Sequence, residues 1–538
     1  MTSSADDARG PTEIDVALFE DAHTEKLARL WSSDKKKGQI TIPTNDEIKN
    51  HYTRMQILSL LENPTSLPDP MRLLRSITLN RNTDPDLKSL SLSSFLALSL
   101  VGESYGDVAA VSIEASQDGE ILIIFTANKT SEKLKEHAEQ MAKICRDALL
   151  VDRTLETFYG FRKAFLKQLL SHGSGKIRNR INSLAGHTDK TQARQMAKVA
   201  RAFNIKDFMR LNSSVIPNQY DQIVREFQQR NGKVPQRKLA RGDAFLMKSA
   251  QSHSLHKILS QYLDTLSSCI SVFQKDVHSL TKTFDLGTSW ILFTICDNLG
   301  SSELVEDILD SLGVDPQQRN HFTMSLRKVG AYASGCWTVW RALKKCMLVK
   351  NIEIKLIPAE QEDLFACHDD YWEFVLAESK RVLQGKTLSI TESRCSQYFR
   401  MGVYKQKVEL RKHAELHLVQ YLMSVGKVRA DIGISKECCA ACTAALVALR
   451  KSDCKYDVHG SHNKTYLASL SGNLEMDEAI INVTKAKFED WIFSLHQDPD
   501  SDTSWNNSSL MGLTEEDINE LEEANSELSS LILQNLDS

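Results

Sequence analysis

Apolar residues recur at helical spacing from Asp15 to Leu100, with breaks at Gly38, Pro43 and the Pro64–Pro70 loop. This predicts a helical N-terminal region over residues 1–104. The period then changes. Val108-Ala-Ala-Val-Ser-Ile-Glu114 and Ile121-Leu-Ile-Ile-Phe-Thr126 alternate and are β-branched, and Gln117-Asp118-Gly119 between them offers a positive-φ turn. Residues 105–130 therefore read as a β-hairpin. Helical spacing returns over 131–345. The block 346–470 mixes short strand-like runs with helices, and Asn351–Ile357, Thr387–Ile390 and Lys407–Leu410 are all candidate strands. Within it, Leu416, Leu418, Val419, Leu422 and Met423 mark an amphipathic helix. Ala430-Asp-Ile-Gly-Ile434 follows as a short strand, Ser435 as a helix N-cap, and Thr443–Lys451 as a second helix.

Candidate chemistry sits on the openings of those two helices. His413-Ala414-Glu415 begins the first, and Cys439-Ala440-Ala441-Cys442 begins the second. Two cysteines and one histidine supply three zinc ligands, leaving a fourth tetrahedral position for a water whose pKa falls toward neutrality. Helix N-termini favour thiolates over thiols, which suits both cysteines to a metal. Glu415 is a non-ligand set two residues from the histidine, where it can carry protons. An H-x-E element followed by a C-x-x-C element, with the glutamate as general acid/base, is the signature of zinc deaminases. Eleven cysteines make a chance C-x-x-C roughly a one-in-five event. An accidental H-x-E suitably upstream brings the joint chance below about 1%.

These residues resemble the zinc-dependent nucleotide and nucleic-acid deaminases of the cytidine deaminase-like superfamily, in particular a branch expanded in fungi. That branch combines a large helical N-terminal region with an H-A-E helix, an S-K-x-C-C-x-x-C turn and a later strand containing G-S/T-H. The matching residues are His413-Ala-Glu415, Ser435-Lys-Glu-Cys-Cys-Ala-Ala-Cys442 and Val458-His-Gly-Ser-His462. Cys438 stands where most of the superfamily has proline; proline there pre-sets a helical first turn, so no ligand is lost. The resemblance implies an α/β fold: a cytidine deaminase-like α/β/α core with a mixed sheet, plus a large, mostly α-helical N-terminal or inserted region. It implies Zn2+ as cofactor, His413, Cys439 and Cys442 as metal ligands, Glu415 as the catalytic residue, and His459 or His462 as substrate contacts. The implied substrate is an amino-substituted base in a nucleotide or nucleic acid. Such cores begin with a β-hairpin, so residues 105–130 are expected to complete the sheet, with 131–345 as a helical insertion; the competing first strands are Asn351–Ile357 with Thr387–Ile390 or Lys407–Leu410. The alternative is a non-catalytic helical interaction protein whose deaminase-like module is stabilised by zinc.

Other motifs carry less. His413 and His417 lie four apart, but a zincin needs His and Glu adjacent, so His417 reads as an ordinary helix residue. A second His137-Ala138-Glu139 lies in a charged helical run with no C-x-x-C after it, and is expected on a solvated face. Ser174-Gly175-Lys176 fails the Walker pattern because Leu170 occupies the required glycine position. Cys367-His368-Asp369-Asp370 reads as part of a helix beside Tyr371 and Trp372.

Composition is ordinary globular, with 41% hydrophobic and 25% charged residues. No apolar stretch reaches membrane-spanning length, and Met1-Thr-Ser-Ser-Ala-Asp-Asp does not open a secretory signal. Together with cysteines in no disulfide-like pattern, this leads us to expect an intracellular location, cytoplasmic or nuclear, and no membrane partner. The net charge of −4 conceals opposed blocks. Residues 161–250 hold 19 Lys/Arg against 5 Asp/Glu, a basic region able to contact nucleic acid, although few aromatics are present to stack on bases. Residues 471–538 hold 2 Lys against 16 Asp/Glu and read as an acidic tail, with an amphipathic helix over Thr514–Leu536.

Overall fold

The computed structural model describes residues 43–61, 92–102, 108–115, 119–151, 154–186, 203–215, 217–231, 241–250, 254–275, 286–345, 351–359, 363–386, 388, 390–397, 404–436, 438–450, 454–458 and 466–497. The strands are β1 (Ala109–Ala115), β2 (Glu120–Ala127), β3 (Asn351–Ile357), β4 (Asp363–Ala366), β5 (Lys407–Leu410), β6 (Arg429–Ile434) and β7 (Lys455–Val458). The helices run α1 (Asn45–Leu60), α2 (Leu92–Ser99), α3 (Glu132–Leu149), α4 (Leu155–Leu184), α5 (Ile205–Ser213), α6 (Pro217–Asn231), α7 (Arg241–Ala250) and α8 (Leu255–Lys275). They continue with α9 (Leu286–Gly300), α10 (Glu303–Ser311), α11 (Pro316–Lys345), α12 (Tyr371–Val382), α13 (Glu392–Gln397), α14 (Ala414–Ser424), α15 (Ala440–Arg450) and α16 (Leu474–Gln497).

The architecture is mostly helical with a mixed five-stranded sheet in the order β3-β2-β1-β6-β7. The expected hairpin is present: β1 and β2 pair antiparallel, Val111 opposite Phe125, and Gly119 takes φ 85° at the turn. β3 lies parallel to β2, so Asn351–Ile357 is indeed a strand, and β1 also pairs antiparallel with β6, Val111 opposite Gly433. The hairpin thus shares a sheet with the strand that follows the H-A-E helix. Lys407–Leu410 is a strand as well, but it pairs with β4 in a separate two-stranded sheet. Residues 388 and 390 lie in no strand.

Two compact units are distinguished. The second, drawn from Asn80–Pro358 with Asp431–Lys436, centres on the long helices α4 and α11. They touch at two places: Phe158 stacks on Trp337 at 3.9 Å, and Arg180 donates to the Lys328 carbonyl at 2.8 Å. Gly335 lets α11 lie close against α2, since a Cβ there would lie 2.0 Å from the Phe95 ring. The H-A-E at 137–139 corrects one expectation. His137 is buried, not solvated: it bonds the Ser99 carbonyl at 2.9 Å and Gln168 at 2.9 Å, and stacks on His172 at 3.9 Å. The charged appearance of α3 comes from its other face, where Glu136 and Glu139 are exposed. Ser174-Gly175-Lys176 lies inside α4, so it forms no phosphate loop.

The first unit draws on Met1–Leu79, Ala359–Ala430 and Glu437–Ser538. Thr44 and Glu47 close a capping box at the start of α1. Further along α1, Arg54 makes a buried bidentate-type pair with Glu378 of α12, at 2.9 and 3.1 Å to one oxygen. Phe374 and Val375 of α12 meet Phe488, Trp491, Ile492 and Leu495 of α16 in one apolar cluster. This revises the acidic tail: residues 474–497 form a helix with one buried apolar face, masked in the sequence by flanking acids. Thr514–Leu536 lies outside the described residues. Cys367-His368-Asp369-Asp370 is not helical; it links β4 to α12, and Asp370 caps α12 by accepting from Trp372 and Glu373 N–H.

Candidate metal centre

Leu416, Leu418, Val419 and Leu422 bury one face of α14 and set its direction, which leaves His413 at the N-cap position with extended backbone (φ −67°, ψ 144°). Its side chain makes no capping bond, so the imidazole is available for other work. Cys439 immediately precedes α15 and Cys442 lies in its first turn. Cys439 takes the cap role through sulfur: the Cys442 N–H points at Cys439 Sγ at 3.5 Å, and the Thr443 N–H donates to the Cys439 carbonyl at 2.9 Å. Ser435, expected as the N-cap, does something different. Its Oγ accepts from the Ala109 N–H at 3.0 Å and its own N–H donates to the Ala109 carbonyl at 2.9 Å, extending the β1–β6 pairing.

The two helix openings converge. His413 Nδ1 lies 3.0 Å from Cys442 Sγ and 3.5 Å from Cys439 Sγ, and the two sulfurs are 3.4 Å apart. Among the described residues, these three form the group whose donor atoms, all within 4.8 Å of one another, could hold a metal ion. Tetrahedral zinc, with Zn–S about 2.3 Å and Zn–N about 2.05 Å, requires about 3.8 Å between sulfurs and about 3.6 Å between sulfur and nitrogen. The observed triangle is tighter, by up to about 0.6 Å at the His413–Cys442 edge, so the side chains must open slightly to seat the ion. The donor set is that of a zinc site with one position left over. His413 also hydrogen-bonds the Leu467 carbonyl, the kind of outer contact that orients a metal-binding imidazole.

Electrostatics make the same demand for positive charge. Burial by itself lowers the pKa of His413, but the Cys439 sulfur, through charge and hydrogen bond, and then the Glu415 carboxylate outweigh it and lift the ring to about 9. The bond from Cys442 holds Cys439 well below the usual thiol range against the opposing effect of burial, while burial and the Cys439 charge push Cys442 up. One thiolate is therefore preferred here, and a metal cation would stabilise both.

Glu415 is 4% exposed. Its Oε1 lies 3.9 Å from His413 Nδ1, and its Oε2 has no hydrogen-bond partner among the described residues. A buried carboxylate oxygen without a partner is costly, and a water on the metal's spare position would satisfy it. Cys438 is buried beside the cluster and adds no donor to it, and His417 lies one turn further along α14 outside it. His459 and His462 fall outside the described residues. Sequence reasoning missed the segment beginning at Tyr466. The ring of Tyr466 is 44% exposed, and burial of its hydroxyl, then the nearby Cys439 charge, raises its pKa. Leu467 acts through a backbone carbonyl, for which no side-chain signal exists.

Residues 412–468, about a tenth of the chain, match the model of a family described as OTT_1508-like deaminase. No curated protein and no solved structure matches the chain. That segment is thus similar to a cytidine deaminase-like domain, and its His/Cys/Cys cluster fits a zinc site. Among the described residues, no helix is long and apolar enough to cross a membrane.

Proposed function

We propose that the domain built around residues 346–470 is a zinc-dependent hydrolytic deaminase acting on an amino-substituted base in a nucleotide or nucleic acid. The observation that carries this reading is the buried Oε2 of Glu415, without a hydrogen-bond partner among the described residues, beside a convergent His413, Cys439 and Cys442. A purely structural zinc site has no use for such a group. The same reading treats β6, with α14 before it and α15 after it, as part of a cytidine deaminase-like α/β/α core to which the β1–β2 hairpin contributes.

His413, Cys439 and Cys442 would hold the ion, and bound zinc would supply an acidified water at neutral pH. Glu415 does the proton work. Its carboxylate takes a proton from water as oxygen adds to the amidine carbon and passes it to the ring nitrogen. As the exocyclic C–N bond breaks it returns a second proton to the nitrogen, so that water and the aminated base become the oxo base and ammonia. The Leu467 carbonyl fixes the His413 ring, and burial keeps bulk water from competing for the Glu415 proton.

The test uses purified full-length chain, with zinc counted by elemental analysis and ammonia release measured on free bases, nucleosides, nucleotides and single-stranded DNA and RNA. One zinc per chain and release from at least one substrate are expected. Glu415→Ala should keep zinc and lose turnover by about 10²- to 10⁴-fold, whereas Cys439→Ser should lose both. Zinc loss in Glu415→Ala would mean that the glutamate is a ligand, and stoichiometric zinc with no release from any substrate would leave the structural module as the better reading.

A further inference from the structure

Among the described residues, the lysines and arginines of the basic region 161–250 do not form one patch. Lys176 is buried in α4, Arg180 packs over the Tyr332 ring, and Arg230 of α6 is paired with Asp307. On the first half of α4, however, cations and aromatic rings occur together on the surface. Tyr159, Lys163 and Lys167 follow one another at four-residue steps, so they form a stripe along one helix face, and all three are exposed. Beside the stripe, the Arg162 guanidinium lies 4.9 Å from the Tyr159 ring centre and 4.8 Å from that of Trp290 on α9. Ile291 next to Trp290 is also exposed, at 46%. Phe158, stacked on Trp337, forms the fixed floor under these groups. The acid exposed on this part of α4 is Glu156, one turn before Tyr159.

We propose that this face of the second unit, formed by Tyr159, Arg162, Lys163, Lys167 and Trp290, binds single-stranded nucleic acid. Each component matches one part of that ligand. Tyr159 presents nearly half its surface to solvent, and its ring, held in place by the Arg162 guanidinium lying over it, offers a π-surface on which any base can stack. Lys163 and Lys167, about 6 Å apart along the helix, place two mobile ammonium groups beside that platform for consecutive phosphates. Arg162 cannot lose its charge, and its plane is already oriented by the two rings, so little further ordering is needed on binding. A peptide partner with acidic side chains would engage the lysines but would leave the aromatic platform unused. Base-paired nucleic acid would hide its base faces from Tyr159. The combination of stackable ring and paired cations favours the unpaired polymer.

The inference does not depend on the metal centre, and its test is arranged to keep the two apart. Fluorescence anisotropy of a labelled single-stranded 20-mer is titrated with full-length chain at several salt concentrations. Binding is expected to weaken with salt. Lys163→Ala and Lys167→Ala should each reduce the slope of log affinity against log salt by about 0.7. Tyr159→Ala should weaken binding by roughly fivefold to 150-fold, the range for loss of one stacked base, and Tyr159→Phe should restore it. Lys206→Ala, an exposed lysine on α5, serves as a control with unchanged affinity, and Glu415→Ala should also bind normally. Wild-type affinity in the Tyr159 and lysine variants would overturn the proposal. So would equal competition by a polyglutamate peptide, which would assign the face to acidic proteins, or by the same sequence as duplex.

Discussion

Cys439 holds two positions at once: a sulfur in the candidate metal set and the cap of α15, where it accepts from the Cys442 N–H. The roles separate by substitution. Serine is a good N-cap but a poor zinc ligand, so with metal removed Cys439→Ser should be more stable than Cys439→Ala by about 1 kcal/mol in urea unfolding. Equal stabilities would show that the sulfur does no capping. His137 offers a second residue-scale test. Burial first, then the His172 ring, lower its pKa from 6.5 to about 4, against the Ser99 carbonyl bond that raises it. Between these values the unfolded chain takes up a proton that the native state refuses. The corresponding stability is therefore present in full above pH 6.5 and lost as pH falls toward 4. The size is about 3 kcal/mol. His137→Gln should flatten that part of the pH–stability curve, whereas a curve parallel to the wild type would place the titration elsewhere. The convergence of His413, Cys439 and Cys442 was legible because residue type and spacing encode it. The buried state of His137 was not, since α3 carries its charges on the opposite face and its local sequence matches a solvated helix.

Elements were legible where periodicity was strong and unambiguous. The hairpin, β3, β6 and the helices carrying the cluster follow from alternation or helical spacing, while β4 has only Asp363-Leu-Phe-Ala366 and gives no alternation to read. The partners of each element were harder. Lys407–Leu410 has strand character but nothing in it says that β4, not the larger sheet, will take it. α16 was hidden because its acids dominate composition while Phe488, Trp491 and Ile492 supply the burial. Close approaches are the least legible of all. Gly433 in β6 is an example: a Cβ there would lie 1.9 Å from the Ser93 carbonyl carbon and 2.1 Å from the Ser94 nitrogen. These are backbone atoms of α2 and cannot rotate away. Gly433→Ala should therefore destabilise the second unit by at least the 1–3 kcal/mol typical of overpacking, read as a lower urea midpoint. A neutral effect would mean that α2 can slide on β6.

At the scale of the whole molecule, compactness follows burial and not chain order. α1, near the start of the chain, clusters with the unit that holds His413, Cys439 and Cys442: the Ala468 N–H meets Met55 sulfur at 3.4 Å and the Leu470 N–H donates to Tyr52 Oη at 3.1 Å. These bonds pin the same segment whose Leu467 carbonyl holds His413. An apolar helix face announces that it will be buried but not by what, which is why the sequence places α1 in an N-terminal region of its own. The arrangement has a consequence for metal removal. An ion bound to His413, Cys439 and Cys442 ties the openings of α14 and α15 together, and a ligand present at 1,000 times its Kd adds about 4 kcal/mol to the state that binds it. Local opening responds to local ligands. Chelation should therefore speed amide exchange at the first turns of α14 and α15 and along 466–471, while the amides of β1, β2 and α11 keep their protection. Hydrogen-exchange mass spectrometry before and after chelation reads both groups in one experiment. Loss of protection throughout, or nowhere, would show that the ion is not a local tie of the first unit.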